Sequence, residues 1–144
     1  MTGPKILILD IETTPNIADV WGLWQQNVAL SQLRVSTTLL CFAYKWHGSR
    51  VTNFVREDAV ATAHRLLDEC DIVVHYNGKH FDIPHLNREF VEAGMLPPSP
   101  YKQVDLCEIV KKTFRFPSNK LAYVAPTLGL TPKETHEGHE LWVK

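Results

Sequence analysis

The apolar residues of the chain follow first a strand pattern and then a helical one. Four consecutive aliphatic residues, Ile6 to Leu9, predict a first strand that is buried on both faces. Residues 35 to 46 and 51 to 55 are rich in β-branched and aromatic side chains and flank a turn, which predicts an antiparallel hairpin. Apolar residues recur at helical spacing from Glu57 to Cys70, and a short apolar run comes next at 71 to 75. The first half therefore predicts the order β-β-β-α-β.

Turn residues and helix signals divide the second half. Asn77-Gly78 favours a tight turn after the fourth strand, and Pro84 fits the first turn of a helix that ends at Gly94. Residues 103 to 106 predict a strand and residues 107 to 114 a helix. The chain thus continues as helix, strand, helix.

Composition narrows the class of protein. The 144 residues, of which 44% are hydrophobic and 22% charged, fit one soluble domain that spans residues 1–144. No apolar run approaches the roughly 20 residues of a membrane span, and no signal-peptide pattern opens the chain, so we expect a cytoplasmic protein. The formal net charge of −1 gives no support to nucleic-acid binding through a basic surface. It does not exclude a site that holds phosphates through metal ions, since such a site needs local acidity.

The first strand ends in two carboxylates, Asp10 and Glu12. Alternate residues of a strand share a face, so the two side chains point the same way. Like charges side by side at the end of a buried strand are costly unless a cation compensates them. Hard oxygen ligands suit Mg²⁺ or Mn²⁺ rather than zinc. The alternative is a strand that has emerged into water, with Asp10 capping the next segment of the chain.

A third carboxylate, Asp82, is predicted at a helix N-terminus beside a strand end. Taken alone, it is most simply an N-cap. The nearby histidines His75, His80 and His85 are spaced at intervals of five residues, so they share neither a strand face nor a helix face. We therefore predict surface or turn histidines rather than a metal site.

Two groups of residues have both a nucleic-acid and a structural interpretation. Trp21 and Trp24 lie in a segment of unassigned structure, where they are expected to be core or interface anchors or, less simply, to stack on bases. A second group is basic and surrounds the last predicted helix. A solvated face is the simpler interpretation of this group, and contact with a phosphate backbone is the other. It comprises Lys111, Lys112, Arg115 and Lys120.

The acidic segment at residues 8 to 15 and the segment Asn77-x-x-x-Phe81-Asp82-x-Pro84 together resemble two motifs of the DnaQ-like, or DEDD, 3′-to-5′ exonuclease superfamily. The two segments resemble those of bacteriophage and bacterial exonucleases of this type, which implies host-cell cytoplasm if the protein is phage-encoded. The resemblance implies a ribonuclease H-like α/β fold: a mixed sheet of three antiparallel strands and then parallel strands, with helices on both faces.

The resemblance also implies a site. Asp10, Glu12 and Asp82 would bind two Mg²⁺ or Mn²⁺ ions, which would support hydrolysis of a phosphodiester bond at the 3′ end of DNA or RNA. Thr13 would lie near the terminal nucleotide. Asn77 and Phe81 would shape the substrate groove, although Phe81 is equally well explained as a core aromatic residue.

The chain departs from the family at the fourth carboxylate, which belongs to a Tyr-x-x-x-Asp or His-x-x-x-x-Asp pattern on a later helix. No aspartate comes after Asp105. Tyr101 to Asp105 has the right spacing but runs into a predicted strand, so we expect a misleading match, with Asp105 counted among the catalytic residues only as support from an adjacent strand end. We expect the chain to stop before the helix that carries this carboxylate in the family. Alternatively a partner, or one of three glutamates, supplies the ligand; these are Glu134, Glu137 and Glu140.

The leading hypothesis from the sequence is a two-metal 3′-to-5′ exonuclease, whose activity in this chain alone is open. One alternative is an endonuclease of the ribonuclease H or resolvase kind, which uses the same metals. The other is a non-catalytic nucleic-acid-binding module that keeps the acidic pocket but lacks the fourth ligand.

Overall fold

The structure is a computed structural model, and it describes residues 3–130. It contains the predicted strands and helices in the predicted order, with an additional pair of short strands after the first strand and a further helix at residues 121–127. The strands are β1 (Ile6–Thr13), β2 (Ile17–Ala18), β3 (Leu33–Val35), β4 (Leu39–Trp46), β5 (Asn53–Val55), β6 (Ile72–His75) and β7 (Lys102–Asp105). The helices are α1 (Ala59–Glu69), α2 (Asp82–Glu92), α3 (Leu106–Thr113) and α4 (Leu121–Thr127), with a 3-10 turn at Leu30–Gln32.

Five strands form the central sheet, in the order β5-β4-β1-β6-β7. β4 is antiparallel to both β1 and β5, whereas β6 is parallel to both β1 and β7. This arrangement of three antiparallel strands followed by parallel ones confirms the ribonuclease H-like fold expected from the motifs. Its central strand is β1, the strand that carries Asp10 and Glu12.

The main core lies on one face of this sheet. Leu7, Leu9 and Ile11 of β1 are buried there against α1 and α2, with Leu66 and Leu86 among the helix residues that cover them. Burying such side chains contributes roughly 1.5–3 kcal/mol each, so this face anchors the fold.

The opposite face of β1 is more open than the sequence pattern predicted. Ile8 is 38% exposed, so within residues 3–130 the aliphatic run is fully buried on one face only. The reason is that α1 and α2 both pack on the same side of the sheet, as right-handed connections between parallel strands require. Asp10 and Glu12 share this open side with Ile8.

The predicted hairpin forms from β4 and β5, but β4 begins at Leu39 rather than at residue 35, and residues 33–35 form the separate strand β3. They pair instead with β2 in a small second sheet within the β1–β4 connection. This connection also carries Trp21 and Trp24. Each is 83% exposed, so neither is a core anchor, whereas the interpretations as interface anchors or as base-stacking residues stay predictions.

None of the helices within residues 3–130 is both long and apolar enough to cross a membrane.

Candidate functional site

The first two acids lie at the C-terminal end of the central strand. Asp10 is opposite Ala43 of β4 and Glu12 is opposite Cys41, and both alternate with the core residues of β1. We call the side of the sheet that carries them the acidic face. The strand pairing shifts by one residue between Glu12 and Thr13, which are opposite Cys41 and Leu39, so the extra residue of this β-bulge lies in β4. Bulges are common beside functional sites because they redirect side chains at a strand end.

Asp82 reaches β1 from the start of α2. Its Oδ2 accepts a hydrogen bond from the backbone N–H of Ile11 at 3.1 Å, between the two residues that carry the other acids. The strand leaves this N–H available because β6 pairs with β1 only as far as Ile8. The alternative that Asp82 is merely an N-cap is wrong, since Phe81 is the cap residue and Asp82 begins the helix.

The electrostatics of Asp82 depend on its depth and its neighbours. Its side chain is buried, and burial is the main cause that raises the pKa of Asp82 to about 7. The charges of Asp10 and Glu12 raise it further, while the hydrogen bond from Ile11 opposes the shift. Within residues 3–130 no lysine, arginine or histidine forms an ion pair with Asp82. A buried carboxylate near two others is a group that a bound cation would stabilise.

The donor set therefore suits a hard divalent cation in chemistry, but it is not a closed ligand cage. Among residues 3–130, no three acidic, histidine or cysteine side chains are arranged to hold a metal ion. Mutual repulsion of the carboxylates favours such an open arrangement without a cation. Asp10, Glu12 and Asp82 are thus brought to one strand end without forming a complete metal site.

The side chain of Asp105 does not lie on the acidic face with Asp10 and Glu12. It lies two strands from β1, and its alignment with His75 puts it on the core side of the sheet rather than on the acidic face. Its Oδ1 accepts backbone N–H groups from Asn77 at 2.8 Å, Cys107 at 3.0 Å and Glu108 at 3.4 Å. Burial alone would raise the pKa of Asp105, but the backbone N–H groups of Asn77 and Glu108, with smaller effects of His75 and Lys79, more than offset it, and the pKa is lowered.

Asp105 is therefore the N-cap of α3 and a support for the turn at Asn77, as an adjacent strand end allows. It does not join Asp10 and Glu12 directly. The strand at Lys102–Asp105 confirms that the Tyr101-to-Asp105 spacing is not a helical motif.

His75 contradicts the prediction of surface or turn histidines, because it is buried at the end of β6. Its Nδ1 accepts the backbone N–H of Gly78 at 3.1 Å, so the ring proton lies on Nε2, which donates to Gln103 Oε1 at 2.9 Å. A Cβ added at Gly78 would lie 2.2 Å from the His75 ring. Sequence spacing gave no sign of this packing, although Gly78 within the second motif marked a close approach.

The loop that precedes Asp82 is held by the same residues. Asn77 has a φ of +63°, in the left-handed region that asparagine tolerates, and its carbonyl accepts N–H groups from His80 and Phe81. The hydrogen bond from Asn77 N–H to Asp105 then ties this loop to β7. The predicted turn at Asn77-Gly78 is confirmed, and it fixes where α2 and its first residue begin.

The other predicted substrate residues line the outside of this region. Phe81 is 40% exposed and packs against the His85 ring with centroids 4.5 Å apart, so it is not a core aromatic residue. Thr13 is half-buried at the bulge, and Asn77 is exposed. Glu134, Glu137 and Glu140 lie outside the described residues. The expectation that the chain ends before the last helix of the family also concerns that part of the chain and stays a prediction.

A groove of about 510 Å³ lies next to Asn77, on the side of α3 and α4. It is bordered by Tyr76, Lys111 and Lys120. Within residues 3–130 neither lysine forms an ion pair, unlike Lys112, which pairs with Glu108. The groove therefore brings two uncompensated cations close to the second acidic motif.

A family profile described as the RNase_H superfamily matches residues 7–142, nearly the whole chain. The chain belongs to the RNase_H superfamily. Members of this superfamily are generally nucleases and typically use divalent metals. No curated protein matches the chain.

Among solved structures, the chain is similar to part of the family B DNA polymerase from the hyperthermophilic archaeon Pyrobaculum calidifontis. The TM-score is 0.70 at 17% sequence identity, and the match covers 99% of this chain and 21% of the polymerase chain. At that identity the likeness shows the fold alone. The chain thus spans about a fifth of the length of that polymerase.

Proposed function

We propose that this protein is a metal-dependent 3′-to-5′ exonuclease of the DnaQ-like type that hydrolyses terminal phosphodiester bonds of DNA or RNA. The observation that carries the proposal is the hydrogen bond of Asp82 to the N–H of Ile11. It brings an acid from a helix start to the strand segment that bears Asp10 and Glu12. Membership of the RNase_H superfamily supports the coarser assignment to nucleases.

In this proposal Asp10, Glu12 and Asp82 hold two Mg²⁺ or Mn²⁺ ions. When bound, such ions lower the pKa of an attacking water and stabilise the leaving 3′ oxygen. The chain's own residues do the positioning. Asp82 is held by Ile11, its loop is held by Asp105 and His75, and the exposed Phe81 ring offers a surface for a terminal base.

The substrate strand is proposed to enter beside Asn77. Lys111 and Lys120 border the groove there and would contact backbone phosphates, which is the second of the two interpretations of the basic residues. This supplies local positive charge to a chain whose formal net charge is −1. A fourth ligand for the metal ions would come from outside residues 3–130 or from a partner.

The test uses the 144-residue chain and an oligonucleotide labelled at its 5′ end. With Mg²⁺ or Mn²⁺, we expect stepwise shortening from the 3′ end by the wild type and no shortening by Asp10→Ala or Asp82→Asn. Asp58→Asn, an exposed acid of α1's N-terminus, is the matched control and should retain activity. Equal degradation by the wild type and both site variants would refute the assignment.

Two further substrates separate the alternatives. A circular single strand has no 3′ end, so its cleavage would favour the endonuclease. Binding of a linear strand without cleavage in either metal, together with no heat of divalent binding in calorimetry, would favour the non-catalytic module.

A further inference from the structure

The β1–β4 connection carries the most exposed apolar side chains that lie close to the candidate site in the sequence. Trp21 and Trp24 are each 83% exposed and Leu23 is 85% exposed. We name residues 19–32 the tryptophan loop. Exposed tryptophans cost free energy in water, so a pair of them on one short loop indicates a binding surface.

The tryptophan loop is a folded structure rather than a free end. Its two arms are joined by β2 and β3 and by the ion pair between Arg34 and Asp19, at 2.8 Å. Gln32 closes the loop by accepting the N–H of Ala29 and donating to the carbonyl of Asp19. Because the arms are fixed, the base of the loop needs little ordering when a ligand binds.

The base of the loop is continuous with the candidate site. The chain leaves β1 at Thr13, directly after Glu12, and returns to β4 at Leu39, across the bulge. Helix α2, which begins with Asp82, holds this base through two contacts. Arg88 Nη2 donates to the carbonyl of Thr37 at 2.7 Å, and Glu89 Oε1 accepts the N–H of Leu39 at 2.8 Å.

The distance of the loop from Glu12 and the lack of charge on the loop indicate which kind of ligand it binds. Trp21 comes nine residues after Glu12, so it lies no more than roughly 30 Å away. Residues 20 to 33 contain no charged side chain, and Asp19 at the loop's edge is neutralised by Arg34. Carboxylates that are not bound to metal ions repel phosphates, so an uncharged loop can lie beside a nucleic-acid strand, and its aromatic rings can stack on bases while cations elsewhere contact the phosphates. The amide residues Gln25, Gln26 and Asn27 follow Trp24 in the sequence, and Gln26 Nε2 donates to the carbonyl of Trp24 at 2.9 Å.

We propose that the tryptophan loop is a stacking platform on which Trp21 and Trp24 bind bases of an unpaired nucleic-acid strand upstream of the 3′ end held at Asp10, Glu12 and Asp82. The inference rests on the proposed function for the location of that end. It implies a single-stranded substrate, because the bases of a duplex are already stacked and paired. Stacking also supplies sequence-tolerant affinity to a protein with little net charge.

The test measures binding of a 5′-fluorescein-labelled 20-mer of deoxythymidine to the full chain in EDTA, so that no cleavage occurs. Trp21→Ala and Trp24→Ala should each weaken binding by roughly tenfold, as loss of one stacked base predicts. Trp21→Phe and Trp24→Phe keep a ring and should bind close to the wild type. Leu96→Ala is the matched control, since Leu96 is an equally exposed apolar residue (83%) outside the loop.

Any of three binding results would overturn the inference. The first is equal affinity of the wild type and the double alanine variant, in which both Trp21 and Trp24 are replaced. The second is no binding of the single strand by the wild type, and the third is binding of a blunt duplex as tight as that of the single strand. Sedimentation velocity adds a fourth: a wild-type dimer that the double variant breaks, with unchanged oligonucleotide affinity, would make the loop a self-association surface instead. Far-UV circular dichroism checks that each variant is folded.

A small substrate separates this inference from the proposed function. Thymidine 5′-monophosphate p-nitrophenyl ester has a single base and no upstream strand for the tryptophans to bind. The variant with both Trp21 and Trp24 replaced by alanine and the wild type should therefore hydrolyse it at equal rates with Mn²⁺. If neither hydrolyses it while binding depends on the tryptophans, the exonuclease proposal fails and the platform stands. If both hydrolyse it and binding ignores the tryptophans, the platform fails and the exonuclease proposal stands.

Discussion

Asp82 Oδ2 lies 3.1 Å from the backbone nitrogen of Ile11, across 71 positions of sequence. This hydrogen bond makes the helix start at Asp82 part of the same structure as the strand end at Asp10 and Glu12. It also leaves a buried carboxylate near two others, an arrangement that costs free energy unless a cation is bound. This cost can be measured in two ways, and neither needs catalysis to be observed.

The first prediction concerns stability without metal. Asp82→Asn removes the buried charge but keeps an oxygen that can accept the N–H of Ile11. We expect it to raise the free energy of unfolding in EDTA at pH 8 by about 2–4 kcal/mol, as a shift of this size implies. Urea denaturation measures it, with Asp58→Asn as an exposed control that should differ little. Millimolar Mn²⁺ should then stabilise the wild type more than the variant; a destabilised Asp82→Asn protein in EDTA would contradict the account.

The second prediction is a pH dependence with a definite sign. The folded-state pKa of Asp82, about 7, is raised above the unfolded value of about 3.9, so between these values the folded state binds more protons. The stability of the wild type relative to Asp82→Asn should therefore fall as the pH rises from about 4 to about 7, and then stay constant. Thermal unfolding of both proteins in EDTA across this range measures the difference. A difference that does not change with pH would show that Asp82 is not buried as described.

The sequence predicted the elements and the motifs because they depend on local patterns. The aliphatic run before Asp10, the turn at Asn77-Gly78 and the helix that begins at Asp82 are each encoded in a few adjacent residues. That Asp82 would meet Asp10 and Glu12 was predicted from the resemblance to the family motifs. In the structure, the order of the strands in the sheet places Asp82 beside β1. Neighbouring strands at one sheet end are a property of topology, which no single segment contains.

The burial of His75 and the exposure of Trp21 and Trp24 could not be predicted from local sequence patterns for the same reason. The burial of His75 depends on the approach of Gly78 and Gln103 from other segments, so five-residue spacing along the chain was uninformative. The exposure of Trp21 and Trp24 could not be inferred because tryptophan is highly buried on average. The loop that carries them is held by the pairing of β2 with β3 and by the contacts of Asp19 with Gln32 and Arg34, all of which join residues distant in sequence.

Asp105 carries the third prediction. Asp105→Ala removes the acceptor of three backbone N–H groups, those of Asn77, Cys107 and Glu108, and should lower the free energy of unfolding by about 2–4 kcal/mol. Asp105→Asn keeps one acceptor oxygen and should cost clearly less. Because the folded-state pKa of Asp105 is lowered, its contribution is present above the unfolded pKa and is lost as the pH falls through the folded value. Urea denaturation at pH 7 ranks the variants; equal losses for alanine and asparagine would contradict the capping role.

The fourth prediction tests the packing of Gly78 on His75. Gly78→Ala brings a methyl group to 2.2 Å from the buried ring, so the loop that leads to Asp82 must shift. We expect a loss of roughly 2 kcal/mol or more in stability, as for other overpacked sites. Gly22→Ala is the control, because its nearest neighbour is the flexible end of Gln26. Adding His75→Ala should recover part of the loss, so a double-mutant cycle with a coupling energy near zero would argue against the contact.

The last prediction concerns the groove beside Asn77. Replacing Lys111 and Lys120 by glutamate should weaken binding of both DNA and RNA single strands without changing base preference, because phosphate contacts carry no sequence information. Each lost phosphate contact should also reduce the slope of log affinity against log salt by roughly 0.7 for a single strand. Lys112→Glu serves as the control, since Lys112 is already paired with Glu108 at 3.1 Å. Titrations at several salt concentrations in EDTA give these slopes. An unchanged slope for the variant that replaces both Lys111 and Lys120 would exclude the groove from the path of the strand. The tryptophan variants, by contrast, are expected to lose affinity at an unchanged slope, because stacking releases no counterions.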